Sequence, residues 1–151
     1  MLDAAADHAD ELRLRLTQGV QTNEVGRSAA LLGGYLEIAR LGLPLRILEV
    51  GASAGLNLLW DRYRYETGDQ AFGPADSPLA FDRPWFADSP DLATPVEVTS
   101  RRGCDVQPIS AGTADGRLRL RSFVWPDQLD RMARLDAALD HFRVAGVRRP
   151  Q

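Results

Sequence analysis

The chain contains no lysine, and all of its 18 basic residues are arginine. This absence excludes the phosphate-binding lysine of P-loop proteins, a Schiff-base lysine and the strand lysine of protein kinases. There is also a single cysteine, Cys104, which excludes an internal disulfide and is typical of a reducing compartment. We therefore expect a cytoplasmic protein in which Cys104 is a buried structural residue.

Histidine and long apolar runs are equally scarce. The two histidines, His8 and His141, have no neighbouring ligands at a suitable spacing, so we expect both at the surface and no metal site. The longest apolar segment, 29–45, is interrupted by Glu37 and Arg40, which predicts no membrane span. A net charge of -3 gives no reason to expect a nucleic-acid partner.

The most informative segment that the chain does contain is LRILEVGASAGLNL at 45–58. An apolar strand, 45–50, runs into a glycine-rich turn and then into residues that can start a helix. Such a turn lets backbone N–H groups approach a ligand, with the positive end of the helix dipole facing it. The segment therefore predicts a nucleotide-type cofactor site at the carboxyl edge of a parallel sheet. A glycine turn that merely packs the strand on the helix is the alternative.

We predict six cofactor-binding residues in this segment: Glu49, Gly51, Ala52, Ser53, Gly55 and Asn57. Their spacing resembles the first motif of class I S-adenosylmethionine-dependent methyltransferases, in which an acidic residue precedes a glycine-rich turn. The dinucleotide fingerprint fits less well, because Ser53 and Leu56 stand where it has glycine. Asn57 either binds a ligand or caps a turn. The sequence identifies no catalytic residue and no general base.

An acidic ligand for the ribose of such a cofactor is expected about 20 residues after the loop, at the end of the next strand. Glu66 and Asp69 are the nearest candidates. However, only about eight residues separate Gly55 from Tyr63, whereas a parallel crossover needs about a dozen. We therefore predict that 63–66 is not the second parallel strand, and the ribose ligand stays unassigned.

The remaining segments predict helices around this strand and an insertion after it. We expect helices at 3–17 and 23–41, a hairpin within 63–73, a proline-containing loop at 72–95 and a strand at 94–101. The segment 117–125 fits a strand by its alternation and a helix by its spacing. A last helix, 126–146, carries an apolar stripe formed by Leu129, Met132, Leu135, Leu139 and Phe142.

These elements predict an α/β fold: an incomplete Rossmann-like, class I methyltransferase-like domain with N-terminal helices and a β-hairpin and loop insertion. The expected division is 1–43 for the N-terminal helices, 44–146 for the partial α/β domain and 147–151 for a tail. Only one strongly buried strand is evident, and no strand follows the last helix to cover its apolar stripe. We therefore expect the chain to be a fragment.

Four stretches of the chain resemble a bacterial family of uncharacterised proteins, domain-of-unknown-function family 2332. They are QTNEVGRSAALL at 21–32, LEVGASAGLNLLWDRYRY at 48–65, RRGCDVQPI at 101–109 and SFVWPDQLDRMARLDAAL at 122–139. The resemblance implies a methyltransferase-like α/β fold, with the loop from Gly51 to Gly55 in the cofactor position, Glu49 sharing that role and Asn57 beside it. It also implies that 116–124 is helical and that this chain is the middle of a longer protein.

Three functions are consistent with these observations. The first is a fragment of a methyltransferase-like protein that binds S-adenosylmethionine and acts on an unknown substrate. The second is a fragment of an NAD(P)-dependent oxidoreductase. The third is a non-catalytic interaction module that pairs an open sheet edge and an apolar helix with a partner, including a second copy of itself. A small-molecule cofactor is the expected ligand, and neither nucleic acid nor a membrane is expected as a partner.

Overall fold

Four α-helices, one 3₁₀ helix and five short strands make up the described part of the chain. The computed structural model describes residues 6–17, 19–82, 84–85 and 88–145. In chain order the elements are α1 (Ala9–Leu16), α2 (Arg27–Ala39), β1 (Leu45–Val50), the 3₁₀ helix (Leu56–Arg62), β2 (Arg64–Thr67), β3 (Gln70–Phe72), β4 (Ala80–Asp82), β5 (Val98–Cys104), α3 (Ala114–Ser122) and α4 (Leu129–Ala145). None of these helices combines the length and the apolar content that a membrane span requires.

The strands form two separate small sheets. β1 pairs with β5 in parallel, and Val50 at the end of β1 lies opposite Cys104 at the end of β5. The second sheet has the order β3-β2-β4, with β2 antiparallel to β3 and parallel to β4. The mixed α/β class is therefore confirmed. A Rossmann-like sheet stays a prediction, because the described residues contribute only two strands to the parallel sheet.

Only one face of the parallel sheet is covered. Along β1 the side chains of Leu45 and Ile47 are buried, whereas Leu48 and Val50 on the opposite face are 74% and 89% exposed. Successive residues of a strand point to opposite faces, so one face packs against the core and the other meets solvent. The predicted bounds 45–50 are confirmed, but the strand is buried on one side only.

A hydrophobic cluster joins α2, the 3₁₀ helix, α3, α4 and strands of both sheets, whereas α1 contributes no buried residue to it. Residues before the predicted boundary at 43/44, such as Leu32 and Leu36, share this cluster with Ile47 and Leu56 after it. At its centre lie the fully buried rings of Trp60, Tyr63 and Tyr65. The predicted tail, 147–151, lies outside the described residues, and so do residues 1–5 at the start of the first predicted helix.

Two segments differ from what alternation and apolar spacing predict. The segment 117–125 contributes to helix α3, as the family resemblance implied, and its strand interpretation is wrong. Leu120 is buried in α3 while Leu118 is 65% exposed, which is a helical and not an alternating pattern. In α4, Leu135, Leu139 and Phe142 are buried against the rest of the protein, so the apolar stripe is largely covered. Leu129, its first member, is 73% exposed.

The insertion after the 3₁₀ helix contains the predicted hairpin. β2 and β3 pair antiparallel through a turn at Gly68, whose φ of +54° is readily adopted by glycine. The following segment, 72–95, was expected to be a loop, but it also holds β4, which returns to pair with β2. This insertion separates β1 from its parallel partner β5 along the chain.

Candidate cofactor site

The loop after β1 has an unusual backbone. Gly51, Ser53 and Gly55 all have left-handed φ angles, of +72°, +50° and +73°. Ser53 is the only residue other than glycine with a positive φ in the described part of the chain. Such a conformation costs about 1 kcal/mol or more, so the surrounding contacts must hold it in place.

Most of the loop's backbone donors are engaged within the protein. The N–H groups of Gly51 and Ala52 donate to the carbonyl oxygen of Cys104, at 2.9 and 3.0 Å. The N–H of Gly55 donates to Ala52 O at 2.7 Å. The segment that follows is a seven-residue 3₁₀ helix and not an α-helix, so the expected contribution of an α-helix dipole is absent from this loop.

Asp105, which directly follows β5, provides the central carboxylate of the site. Its Oδ2 accepts the N–H of Ser53 at 2.8 Å, and its Oδ1 accepts the N–H of Gln107 at 2.8 Å. These two backbone donors hold the pKa of Asp105 below its ordinary value, with a smaller contribution from the Gln21 side chain. The carboxylate is therefore ionised at neutral pH.

Gln21 ties the segment before α2 to this carboxylate. Its Nε2 donates to Asp105 Oδ1 at 3.1 Å and to the carbonyl oxygen of Gln107 at 2.8 Å. The hydroxyl of Ser53 donates to Gln21 Oε1 at 3.1 Å. Loop, strand end and N-terminal segment thus share one hydrogen-bond network, which accounts for the stability of the strained Ser53 backbone.

Two of the predicted site residues carry buried oxygens without a partner. In the described part of the chain, Glu49 Oε2 and Asn57 Oδ1 have no hydrogen-bond donor. Burial raises the pKa of Glu49, while the Arg27 guanidinium partly opposes the shift. An unsatisfied buried oxygen in a native protein usually has a water or a ligand as its missing donor.

The loop rests closely on β5 and is open on one side. A Cβ added to Gly103 would lie 2.6 Å from Ala52 Cβ, so only glycine lets the loop approach the strand this closely. By contrast, a Cβ added to Gly51 would meet nothing within 4 Å. Ala52, Ser53 and Gly55 are buried, which leaves the Gly51 side as the accessible edge of the predicted site.

The structure thus brings the predicted loop together with an acidic residue that the sequence interpretation missed. Ser53 and Asp105 are 52 positions apart. An acidic ligand for the ribose is expected only about 20 residues after the loop. The candidates considered, Glu66 and Asp69, lie in the β2–β3 hairpin of the other sheet, where Glu66 pairs with Arg64 at 2.9 Å. The segment VTSRRGCD could have indicated Asp105 from the sequence, because it fits a strand that ends directly before an aspartate.

Two further predictions about individual residues are wrong. Cys104 is exposed and free, not buried, because it lies opposite Val50 on the uncovered face of the parallel sheet. His141 is partly buried and not at the surface. Its ring lies edge-on to Tyr63, with ring centroids 5.9 Å apart.

Comparison with known proteins identifies the family but no activity. No curated protein and no solved structure matches the chain. The model of a bacterial family, described as "Uncharacterized protein conserved in bacteria (DUF2332)", matches residues 1–149. Because this match covers nearly the whole sequence, the chain belongs to that family of uncharacterised bacterial proteins.

Proposed function

We propose that the loop from Glu49 to Asn57, together with Asp105, binds a ribose-containing cofactor of a methyltransferase-like reaction, and that this cofactor is S-adenosylmethionine. One observation carries the proposal: parallel strands β1 and β5 end side by side, and the carboxylate after β5 bonds to the loop after β1 at 2.8 Å. In open α/β sheets, ligands bind at the carboxyl ends of the strands.

Asp105 is the proposed ribose ligand. Because its pKa is lowered, it is an ionised acceptor at neutral pH, and a ribose hydroxyl can donate to it. The sequence predicts that the ribose ligand is an acidic residue at the end of the next parallel strand. In the sheet, the strand next to β1 is β5, which ends directly before Asp105. The insertion that contains the hairpin lies between β1 and β5 in the sequence, so Asp105 comes much later in the chain than the usual spacing predicts.

The engaged backbone donors favour S-adenosylmethionine over NAD(P). A pyrophosphate needs several free N–H groups, but those of Gly51, Ala52 and Ser53 already donate to Cys104 and Asp105. S-adenosylmethionine instead offers donors of its own, an ammonium group and two ribose hydroxyls. The free oxygens of Glu49 and Asn57, with Asp105, are acceptors suited to such donors.

The residues of this chain would bind and orient the cofactor, which supplies the methyl group. Holding the methyl donor and acceptor in line would increase the rate of methyl transfer through proximity and orientation. No general base is assigned, and the methyl acceptor is unknown. The cytoplasmic location expected from the sequence is part of this proposal.

Calorimetric titration with S-adenosylhomocysteine tests the proposal. We expect saturable binding to the wild type and binding about tenfold weaker to Asp105→Asn, since a hydrogen bond to a charged acceptor is replaced by one to an amide. Asp69→Asn, which changes an exposed carboxylate in the β2–β3 turn, is the matched control and should bind like the wild type. Absence of binding to the folded wild type, or equal binding to Asp105→Asn, contradicts the proposal.

A further inference from the structure

A cavity separate from the candidate cofactor loop lies between α2, β4 and α4. Its volume is about 1100 Å³, and none of the residues 49–57 or Asp105 lines it. Small side chains, among them Ala29, Ala80 and Ala133, are part of its lining. A cavity of this volume can hold a small organic molecule.

An aromatic wall faces this cavity and is held in a fixed orientation. The indole N–H of Trp85 donates to the carbonyl oxygen of Ala29 at 3.0 Å. The Trp85 ring stacks on Tyr65 with centroids 6.4 Å apart, and Tyr65 stacks on Phe81 at 5.1 Å. Tyr65 is fully buried while Trp85 is only partly covered, so the outer indole surface of this stack is the one that a ligand can reach.

The charges at the rim are predominantly negative. Asp88 and Asp130 line the cavity, and Arg134 is the only basic residue among the described lining residues. The Arg134 guanidinium lies 3.8 Å from the Glu24 carboxylate, which also pairs with Arg131. Carboxylates around an aromatic surface lower the energy of a cation placed over the ring.

We propose that this cavity binds an organic cation with an apolar body, such as an alkylated ammonium compound. The indole face of Trp85 attracts the cation, the alanines contact the alkyl groups, and Asp88 and Asp130 supply the opposite charge. A hydrated metal ion does not fit the site. The lining is mostly apolar, and the described residues contain no group of three metal ligands.

Choline and its neutral isostere 3,3-dimethylbutan-1-ol provide matched probes that differ in charge but not in shape. The chain has three tryptophans, so a ¹⁵N–¹H spectrum contains three indole signals. The Trp85 signal is identified by its loss in Trp85→Phe. We expect choline to shift this signal saturably and the neutral alcohol to bind about tenfold more weakly, because it lacks the cation–π attraction.

Variants at the rim of the cavity distinguish a loss of choline binding from a loss of folding. Asp130→Asn, on the surface of α4, should weaken choline binding severalfold without changing the dispersion of the spectrum. Asp115→Asn in α3 is the charge-matched control and should have no effect. Trp125→Phe, which removes a tryptophan that is 71% exposed, serves as the aromatic control. No saturable shift with choline, equal binding of the neutral alcohol, or an unchanged affinity in Asp130→Asn overturns the proposal.

Discussion

At the scale of single residues, Gly103 shows how closely the candidate cofactor loop is fitted to the sheet. Its position in β5 leaves space for Ala52 and Leu58, and a Cβ there would lie 2.6 and 3.0 Å from their side chains. Ser53 complements this contact from within the loop, since its left-handed backbone is held by Asp105 and Gln21. A few non-local contacts therefore determine the shape of the loop.

Gly103→Ala is expected to destabilise the protein by about 1–3 kcal/mol, because the added methyl group overpacks the contact with Ala52. Chemical denaturation measures the free energy of unfolding. Gly34→Ala is the matched control: Gly34 lies in helix α2, and a Cβ there meets nothing within 4 Å. That change should instead stabilise the protein by about 0.5–1 kcal/mol. Equal effects of the two variants would refute the close-contact interpretation.

Because Glu49 is partly buried, the stability of the protein should depend on pH. Burial raises its pKa in the folded protein, so the folded state binds this proton more tightly than the unfolded chain does. The favourable contribution is present at low pH and is lost as pH rises through the raised value. Glu49→Gln should therefore raise Tm more at about pH 7 than at about pH 4. An equal change in Tm at both values would show that the buried charge is not the cause.

For Asp105 we expect Tm to depend on pH in the opposite direction. Its pKa is lowered by hydrogen bonds, so its contribution is present at neutral pH and lost as the solution is acidified. Asp105→Asn should therefore lower Tm at about pH 7 and have a smaller effect at about pH 3. A loss of Tm that does not depend on pH would contradict the role of the ionised carboxylate.

At the scale of elements, α3 shows how tertiary pairing decides between two interpretations of one segment. Two of its arginines pair with aspartates of α4. Arg117 bonds Asp140 and Arg121 bonds Asp136, both at 2.6 Å. These pairs and the burial of Leu120 require helical spacing, because only residues three or four apart share a helix face.

The start of α3 depends on Thr113, whose hydroxyl accepts the N–H of Gly116 at 3.1 Å. Thr113→Ala should cost about 1 kcal/mol of unfolding free energy, since it removes the N-cap acceptor. Thr113→Ser keeps the hydroxyl and should retain most of the stability. Equilibrium denaturation in urea measures both variants. If Ser and Ala destabilise the protein equally, the capping bond is not what stabilises the helix start.

At the scale of the whole molecule, the parallel sheet has one exposed face, on which apolar side chains of β1 lie beside Arg46 and Arg102. Leu48 and Val50 project from it, and Val106 beyond the end of β5 is 98% exposed. Exposed apolar side chains next to open strand edges form a surface through which copies of the chain can associate. The self-association expected from the sequence stays a prediction, and this face is where we expect it.

Light scattering at increasing protein concentration tests this surface. We expect an apparent mass above that of the monomer for the wild type, and a monomer for Leu48→Arg, which removes an exposed apolar side chain and adds a like charge beside Arg46 and Arg102. Leu118→Arg, on the exposed side of α3, is the control and should associate like the wild type. A wild type that stays monomeric at all concentrations contradicts the prediction.

Local patterns in the sequence were sufficient for several elements. The strand at 45–50 follows from its apolar run before Gly51, and the β2–β3 hairpin follows from alternation around Gly68. The last helix follows from apolar spacing that continues to Phe142. Each of these signals extends over a few residues, and the conformations that they favour depend mainly on those same residues.

Only the tertiary structure decided which strand pairs with β1 and which acidic residue reaches the loop. Ser53 and Asp105 are joined across 52 positions, because the hairpin and β4 fold away into a separate sheet. The same pairing leaves Cys104 and Leu48 exposed on one face, although both residue types are commonly buried. Local periodicity fixes which side chains share a face. Long-range packing decides which of those faces is covered, because that depends on the elements that meet it.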